Sequence, residues 1–100
     1  MTEADLPRLT VDPDDRRVAF TAQSWRHIQS IRPELLNELD AIMSTITQPE
    51  LREPDPRPGR ERFYRRHVTD RVRWMRVVVD FNRDPAVIVT AFIQRKNPTT

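Results

Sequence analysis

The sequence of 100 residues contains no cysteine, one glycine and two histidines. Because there are no thiols, neither disulfides nor thiolate metal sites can form. A zinc site built on histidine would need further carboxylates at metal-ligand spacing, and the sequence shows no such spacing. A single glycine also excludes a Gly-rich phosphate-binding loop. We therefore expect neither a metal nor an organic cofactor.

Long apolar segments are also lacking. No stretch approaches the roughly 18 consecutive apolar residues of a membrane-spanning helix. The first residues, MTEADLPRLT, lack the basic flank and the apolar run of a signal peptide. The length corresponds to one small domain, 1–100, in which we expect 1–8 to be disordered. These features favour a soluble, cytoplasmic protein without a membrane partner.

Basic residues are abundant but unevenly distributed. Residues 1–56 carry 6 Arg against 11 Asp and Glu, whereas residues 57–100 carry 11 basic against 4 acidic residues. The densest stretch is PRPGRERFYRRHVTDRVRWMR, with eight arginines. A patch of one charge suits a polyanionic partner. The alternative is a solvated surface whose arginines pair with the acidic half of the same chain.

The first half of the chain predicts two helices. Thr21 is a favourable N-cap for a helix over 22–31, on which Trp25 and Ile28 share one face with Arg32. Pro33 is suited to the first turn of a second helix that extends to about residue 47. The apolar residues of this second helix recur at helical spacing and are expected to pack in the core: Leu35, Leu36, Leu39, Ile42, Met43 and Ile46.

The remaining segments predict strands. Two short ones, 9–11 and 18–20, flank turn residues and would form an N-terminal hairpin. The proline-rich segment 49–60 is expected to be a surface loop. Three further strands are predicted at 62–67, 72–81 and 87–94. The fold class is therefore α+β, with two N-terminal helices packed on an antiparallel meander of about three to four strands.

The residue types that remain as candidates for catalysis and substrate binding are histidine, arginine, tyrosine and threonine. A histidine can exchange a proton near neutral pH, and arginine binds phosphate through two hydrogen bonds. Alternation along 62–67 directs Arg62, Tyr64 and Arg66 to one side, and Arg65 and His67 to the other. These types suit metal-independent cleavage of RNA.

Each candidate also has a purely structural explanation. His27 would then be a helix-surface residue and His67 a solvent-exposed strand end. Thr90 would be a β-branched filler whose hydroxyl bonds the backbone. Arg32 would pair with the last carbonyls of the first helix. Both tryptophans would serve packing, Trp25 in the core and Trp74 on the Arg-rich strand, where it could otherwise stack a base.

An ordered series of segments resembles a known family. The series runs through VDPDDRRVAFTAQSWRHI, IRPEL, FYRRH and VIVTAFIQ, between about residues 10 and 95. It is similar to small phage- and plasmid-associated proteins of the barnase–EndoU–colicin–RelE nuclease superfamily. Members of this type show a W-x-H-I helix, a following R-H-P-E, a Y-R strand and a final T-A-aromatic strand.

The resemblance implies a metal-independent endoribonuclease that cleaves RNA by attack of a ribose 2′-hydroxyl on its own phosphate. His27 would be the general base or acid, and Arg32 would bind phosphate. Tyr64 with Arg66, or with Arg65 instead, would line the sheet face toward RNA, and Thr90 would point into the same cleft. The other residues expected to bind substrate are Arg62, Arg65, Trp74 and Arg76. Besides RNA, the resemblance implies an antitoxin or immunity protein as a partner.

The sequence departs from the family pattern at one motif. Where the family has R-H-P-E, this chain has Ile31, Arg32, Pro33 and Glu34. If the missing histidine is catalytic in the family, the chain would be a catalytically inactive module that binds nucleic acid or protein. A third hypothesis is an accessory phage protein whose arginines pair with acidic groups. We therefore take an RNA-cleaving domain as the first hypothesis and the other two as alternatives.

Overall fold

The computed structural model describes residues 6–99 and contains six strands and two α-helices in an α+β arrangement, which confirms the predicted class. The helices are Ala22–Ile31 (α1) and Leu39–Thr47 (α2), with a short 3-10 helix at Pro33–Leu35 between them. The strands are Arg8–Val11 (β1), Arg17–Phe20 (β2), Leu51–Pro54 (β3), Arg60–Arg66 (β4), Trp74–Asp80 (β5) and Ala86–Gln94 (β6).

The six strands form one mixed sheet in the order β1-β2-β6-β5-β4-β3. The predicted meander of β4, β5 and β6 and the N-terminal hairpin of β1 and β2 are confirmed. The sheet is not wholly antiparallel, because β2 runs parallel to β6 and pairs Val18 with Ala86. This pairing joins segments far apart in sequence, and local patterns carry no signal for it.

One prediction about an irregular segment was wrong, and another falls mostly outside the described residues. The proline-rich segment 49–60 contains the edge strand β3, which pairs with β4 through Leu51 and Tyr64. Proline is compatible with a sheet edge, and Pro54 ends this strand. Within the segment predicted to be disordered, Leu6 packs against the core and Arg8 begins β1. Residues 1–5 of that segment lie outside the described part of the chain.

The first helix forms as predicted, but the second begins later. The Thr21 hydroxyl accepts a hydrogen bond from the backbone N–H of Ser24 at 3.0 Å, so Thr21 is the N-cap of α1. After Pro33, the Leu36 N–H donates to the Pro33 carbonyl at 3.1 Å, which is the tighter 3-10 spacing. This spacing rotates Leu36 away from the core and leaves it 58% exposed, contrary to its predicted burial.

Both helices cover one face of the sheet. Trp25 is 4% exposed and packs edge-on against Phe20, with ring centroids 5.9 Å apart, which confirms its predicted core position. The apolar stripe of α2 meets alternate residues of β5, which are Met75, Val77 and Val79. Within residues 6–99, neither helix is long and apolar enough to cross a membrane.

An ion-pair network attaches the β1–β2 hairpin to the sheet. Arg16 donates two hydrogen bonds to Glu61 at 2.6 and 2.9 Å and one to the buried Asp12 at 2.7 Å. Its guanidinium also lies 3.8 Å from the ring centroid of Phe81. Bidentate pairing of this kind fixes geometry as well as charge. The turn between β1 and β2 is therefore held beside β4.

Candidate nucleic-acid interface

The face of the sheet opposite the helix-packed core carries most of the predicted site residues. Successive side chains of a strand alternate between the two faces. Since Phe63, Val77 and Ala91 enter the core, their neighbours point to the opposite face. We call this surface the Arg-rich face, and define it by Arg60, Arg62, Tyr64 and Arg66 of β4, Trp74, Arg76, Val78 and Asp80 of β5, and Val87, Thr90, Phe92 and Gln94 of β6.

Strand register arranges the Arg-rich face in rows across the sheet. From one end to the other, these rows are Arg66–Trp74–Gln94, Tyr64–Arg76–Phe92, Arg62–Val78–Thr90 and Arg60–Asp80–Val87. Successive rows are about 6.6 Å apart at about 3.3 Å per residue. The structure thus brings together six of the predicted site residues: Arg62, Tyr64, Arg66, Trp74, Arg76 and Thr90.

Arginines pack against aromatic rings over this face. The Arg66 Cζ lies 5.0 Å from the ring centroid of Trp74, and the Arg76 Cζ lies 5.8 Å from that of Tyr64. Trp74 is only 6% exposed. Because Trp74 is covered, the structure supports its packing role and leaves little of the indole for a stacked base.

Tyr64 is held by a short hydrogen bond to an acid of the neighbouring edge strand. Its hydroxyl donates to Glu53 Oε1 at 2.6 Å. Burial and this hydrogen bond raise the pKa of Tyr64 above its ordinary value. Arg62 donates from Nε to Asp55 at 2.8 Å and lies 3.4 Å from Glu53. Tyr64 is therefore a neutral hydrogen-bonding group, and Arg62 is already paired with carboxylates.

His27 lies at one end of the Arg-rich face. It projects from α1 into a pocket of about 340 Å³ and is exposed to solvent. The pocket is also lined by Arg60 and Asp80 of the end row, and by Arg83 of the following loop. The carboxylate of Asp80 accepts a hydrogen bond from the backbone N–H of Asn82 at 2.9 Å, which lowers the pKa of Asp80.

A β-bulge separates this pocket from Thr90. In the β5–β6 pairing, Val78 lies opposite Thr90 and Val79 opposite Ile88, so Val89 is an extra residue on β6. Val89 itself lines the His27 pocket. Bulges bend a strand and re-aim its side chains. The bulge therefore lies between the His27 pocket and the row that contains Thr90.

Arg32, the residue after α1, reaches the Arg-rich face from the helix side. Its guanidinium lies 5.0 Å from the ring centroid of Phe92, and Arg76 lies 4.8 Å from the same centroid. The Nε atoms of Arg32 and Arg76 are buried and have no hydrogen-bond partner in residues 6–99. Arg32 therefore lies beside the row Tyr64–Arg76–Phe92, which we call the second row, and not in the His27 pocket.

Two sequence candidates lie elsewhere. Arg65 points to the opposite side of β4 and donates to the carbonyl of Gln48 at 2.8 Å. His67 is not solvent-exposed as predicted, because its side chain is only 12% exposed. The Thr69 N–H donates to His67 Nδ1 at 3.3 Å, so Nε2 donates to the Glu38 carboxylate at 2.9 Å. His67 thus joins the β4–β5 turn to the start of α2.

The Arg-rich stretch pairs in part with the acidic half of the chain, as the structural alternative proposed. Arg62 pairs with Glu53 and Asp55, and Arg66 lies 3.5 Å from Glu50. Sequence reasoning did not identify four residues that the structure adds to the site: Arg60, Asp80, Arg83 and Phe92. The alternation of β4 and β5 could have found Arg60 and Asp80, because they share the parity of Arg62 and Arg76.

No family model, no curated protein and no solved structure matches this chain.

Proposed function

We propose that this chain is an RNA-binding domain that cleaves RNA through attack of a ribose 2′-hydroxyl on the adjacent phosphate. The observation that carries the proposal is the solvent-exposed imidazole of His27, which shares one pocket with Arg60 and Arg83 at the end of the Arg-rich face. The resemblance to the barnase–EndoU–colicin–RelE nucleases motivates the reaction. The distribution of charge supports a polyanionic substrate.

In the proposed reaction, His27 accepts the proton of the attacking 2′-hydroxyl. A 2′-oxygen–phosphorus bond forms, the bond from phosphorus to the 5′-oxygen breaks, and the departing 5′-oxygen takes a proton from solvent water. Protonated His27 then releases its proton to solvent. The products are a 2′,3′-cyclic phosphate end and a 5′-hydroxyl end. Arg60 and Arg83 would stabilise the negative charge that develops on the phosphate oxygens in the transition state. These two arginines take the role that the sequence assigned to Arg32.

RNA would lie along the Arg-rich face rather than over the helices. Base contact would come from Phe92, because this residue is partly exposed whereas Trp74 and Tyr64 are only 6% and 2% exposed. Single-stranded RNA offers splayed bases and phosphates together, and this mixture of arginines and an aromatic ring suits it. An antitoxin or immunity protein would inhibit by covering the same face, and complementarity requires such a partner to be acidic.

The experiment is incubation of total RNA with the protein in EDTA, alongside His27→Ala. We expect the parent to cleave and His27→Ala to lose about 100-fold or more of the rate, because general acid–base catalysis contributes about this much. Gln29→Ala is the matched control, since Gln29 lies on the same helix outside the pocket. Equal cleavage by the parent and His27→Ala would show that His27 is not the group that accepts the 2′-hydroxyl proton.

A non-catalytic binding module is the second candidate, and one observation favours it. Arg32 replaces the histidine of the family motif, and its guanidinium packs over Phe92 instead of lining the His27 pocket. This alternative predicts RNA binding that weakens as salt increases, without cleavage, because phosphate contacts release counterions. Intact RNA after incubation with the folded parent, together with salt-dependent binding, would favour this candidate over cleavage.

A further inference from the structure

The second row of the Arg-rich face alternates aromatic rings and guanidinium groups. Tyr64, Arg76 and Phe92 occupy paired positions on neighbouring strands, and Arg32 follows from the end of α1. Both Arg32 and Arg76 lie within 5.0 Å of the Phe92 centroid, measured from Cζ. The row therefore holds two cations beside one ring.

Within residues 6–99, Arg32 and Arg76 lack the carboxylate partners that Arg62 and Arg66 have. Arg62 pairs with Asp55, and Arg66 lies beside Glu50. Within residues 6–99, no carboxylate forms an ion pair with Arg32 or Arg76, and the buried Nε of each has no acceptor. An unpaired buried donor costs about 1–3 kcal/mol. Within residues 6–99, neither guanidinium has a carboxylate within 4.0 Å, so the two positive charges beside this ring are available to an anionic ligand.

Contact with aromatic rings holds both guanidinium groups in place. Arg76 lies near Tyr64 as well as Phe92, and Tyr64 is itself fixed by its hydrogen bond to Glu53. Side chains that are already ordered lose little conformational entropy when a ligand binds. Two ordered cations that lack carboxylate partners favour an oxyanion that accepts several hydrogen bonds, and a phosphate group does this.

This row is separate from the His27 pocket. Arg76 and Asp80 are four residues apart on β5, which corresponds to about 13 Å at about 3.3 Å per residue. Arg32, Arg76 and Phe92 do not line the pocket that contains His27. One phosphate cannot occupy both places, so the two sites would contact different phosphates of one strand.

We propose that Arg32 and Arg76 form a second phosphate subsite, which holds a backbone phosphate other than the one that is attacked. This inference rests on the proposed function and narrows its substrate to an RNA strand with several phosphates. A dinucleoside monophosphate, with its single phosphate, would occupy the His27 pocket alone. Longer RNA would gain affinity from the second contact.

The first test is titration of the intact protein with inorganic phosphate, followed by the Nε–H resonances of arginine in nitrogen–proton NMR spectra. We expect the Arg32 and Arg76 resonances to shift together along one binding curve. Resonances of Arg71, an exposed residue of the β4–β5 turn, are expected to stay in place. Each resonance is assigned through correlations between the arginine side chain and its own backbone in the parent protein. Unchanged resonances of Arg32 and Arg76 at saturating phosphate would overturn the subsite.

The second test compares substrates. We expect Arg76→Met to reduce kcat/KM for an RNA of eight nucleotides about tenfold more than for a dinucleoside monophosphate, because a charged hydrogen bond to the extra phosphate is lost. Arg71→Met should leave both values unchanged. Equal losses on the two substrates would contradict the subsite.

The two proposals fail in different ways. If the parent cleaves RNA but phosphate moves neither resonance, the subsite is wrong and the cleavage proposal stands. If phosphate moves both resonances but RNA stays intact, the subsite stands and cleavage is wrong. The NMR titration uses the parent protein, so a variant that fails to fold cannot obscure its result.

Discussion

The hydrogen bond between Tyr64 and Glu53 links the edge strand β3 to the centre of the Arg-rich face. Tyr64 is 2% exposed, and its hydroxyl lies 2.6 Å from Glu53 Oε1. Tyr64→Phe removes only the hydroxyl and keeps the ring beside Arg76. The substitution therefore isolates this hydrogen bond from the packing of the row.

The structure sets the expected size of the effect. A hydrogen bond to a charged group contributes about 1.5–3 kcal/mol when water cannot replace it. The Glu53 side chain is 36% exposed, so water takes over part of the lost interaction. We expect Tyr64→Phe to lower the free energy of unfolding by about 1–2 kcal/mol. Glu53→Gln should lower it as well, and Tyr64→Phe with Glu53→Gln should cost less than the two effects added.

The assay is urea unfolding followed by tryptophan fluorescence, for the parent, both single variants and the double variant. The coupling free energy from this cycle is expected to be about 1 kcal/mol. A coupling energy below about 0.3 kcal/mol, which is the usual error of additivity, would refute the argument.

The same hydrogen bond has a spectroscopic consequence. Tyr64 is the only tyrosine, so phenolate absorbance titrates this group alone. Burial is the larger cause of its raised pKa and the hydrogen bond to Glu53 the smaller, so Glu53→Gln should lower the pKa without restoring the ordinary value. Because the folded-state pKa is raised, this contribution to stability is complete below about pH 10 and is lost as pH rises through the folded-state value.

Two further predictions concern stability. Gly59 has a φ of +80°, and an added Cβ would clash with the Asn82 side chain. Gly59→Ala should therefore lower the free energy of unfolding by about 1–2 kcal/mol, and an unchanged urea midpoint would contradict this. The pKa values of Asp14, Asp55 and Asp80 are lowered, so their contribution to stability is present above the unfolded value of about 3.9 and is lost as pH falls through the folded values. Urea midpoints should therefore fall below about pH 4, and midpoints that stay constant to pH 2 would contradict the assignment.

The physical causes of the lowered carboxylate pKa values differ. A hydrogen bond from Arg52 is the largest cause at Asp14, and the backbone N–H of Asn82 is the largest at Asp80. At Asp55, burial is the largest single effect and raises the pKa. Four effects lower the pKa of Asp55 and together outweigh burial. They are the hydrogen bonds from the Arg62 side chain and the Arg57 backbone, and the positive charges of Arg62 and Arg76.

Most elements of the fold could be predicted from the sequence because their signals are local. Thr21 caps α1, and alternating residues define β4. The late start of α2 could not be predicted, since the apolar spacing continues through Leu36 while the backbone follows 3-10 geometry. Four prolines between 49 and 58 led to the prediction of a loop where β3 lies. Pro54 is nevertheless compatible with the end of an edge strand.

The candidate site was predictable only within single strands. Alternation grouped Arg62, Tyr64 and Arg66 correctly on one face. The juxtaposition of Arg76 with Phe92 depends on the register between β5 and β6, and the bulge at Val89 shifts that register. Neither the β5–β6 register nor the bulge has a local pattern in the sequence. The residues that share a row could therefore be identified only from the structure.

The most direct test of the proposed function is the fate of one RNA oligonucleotide and its DNA counterpart after incubation with the parent protein in EDTA. The proposed mechanism needs a 2′-hydroxyl as the nucleophile. We therefore expect the RNA to be cut to fragments with 2′,3′-cyclic phosphate ends while the DNA stays intact. Cleavage of the DNA, or RNA products that retain a 5′-phosphate, would contradict the mechanism.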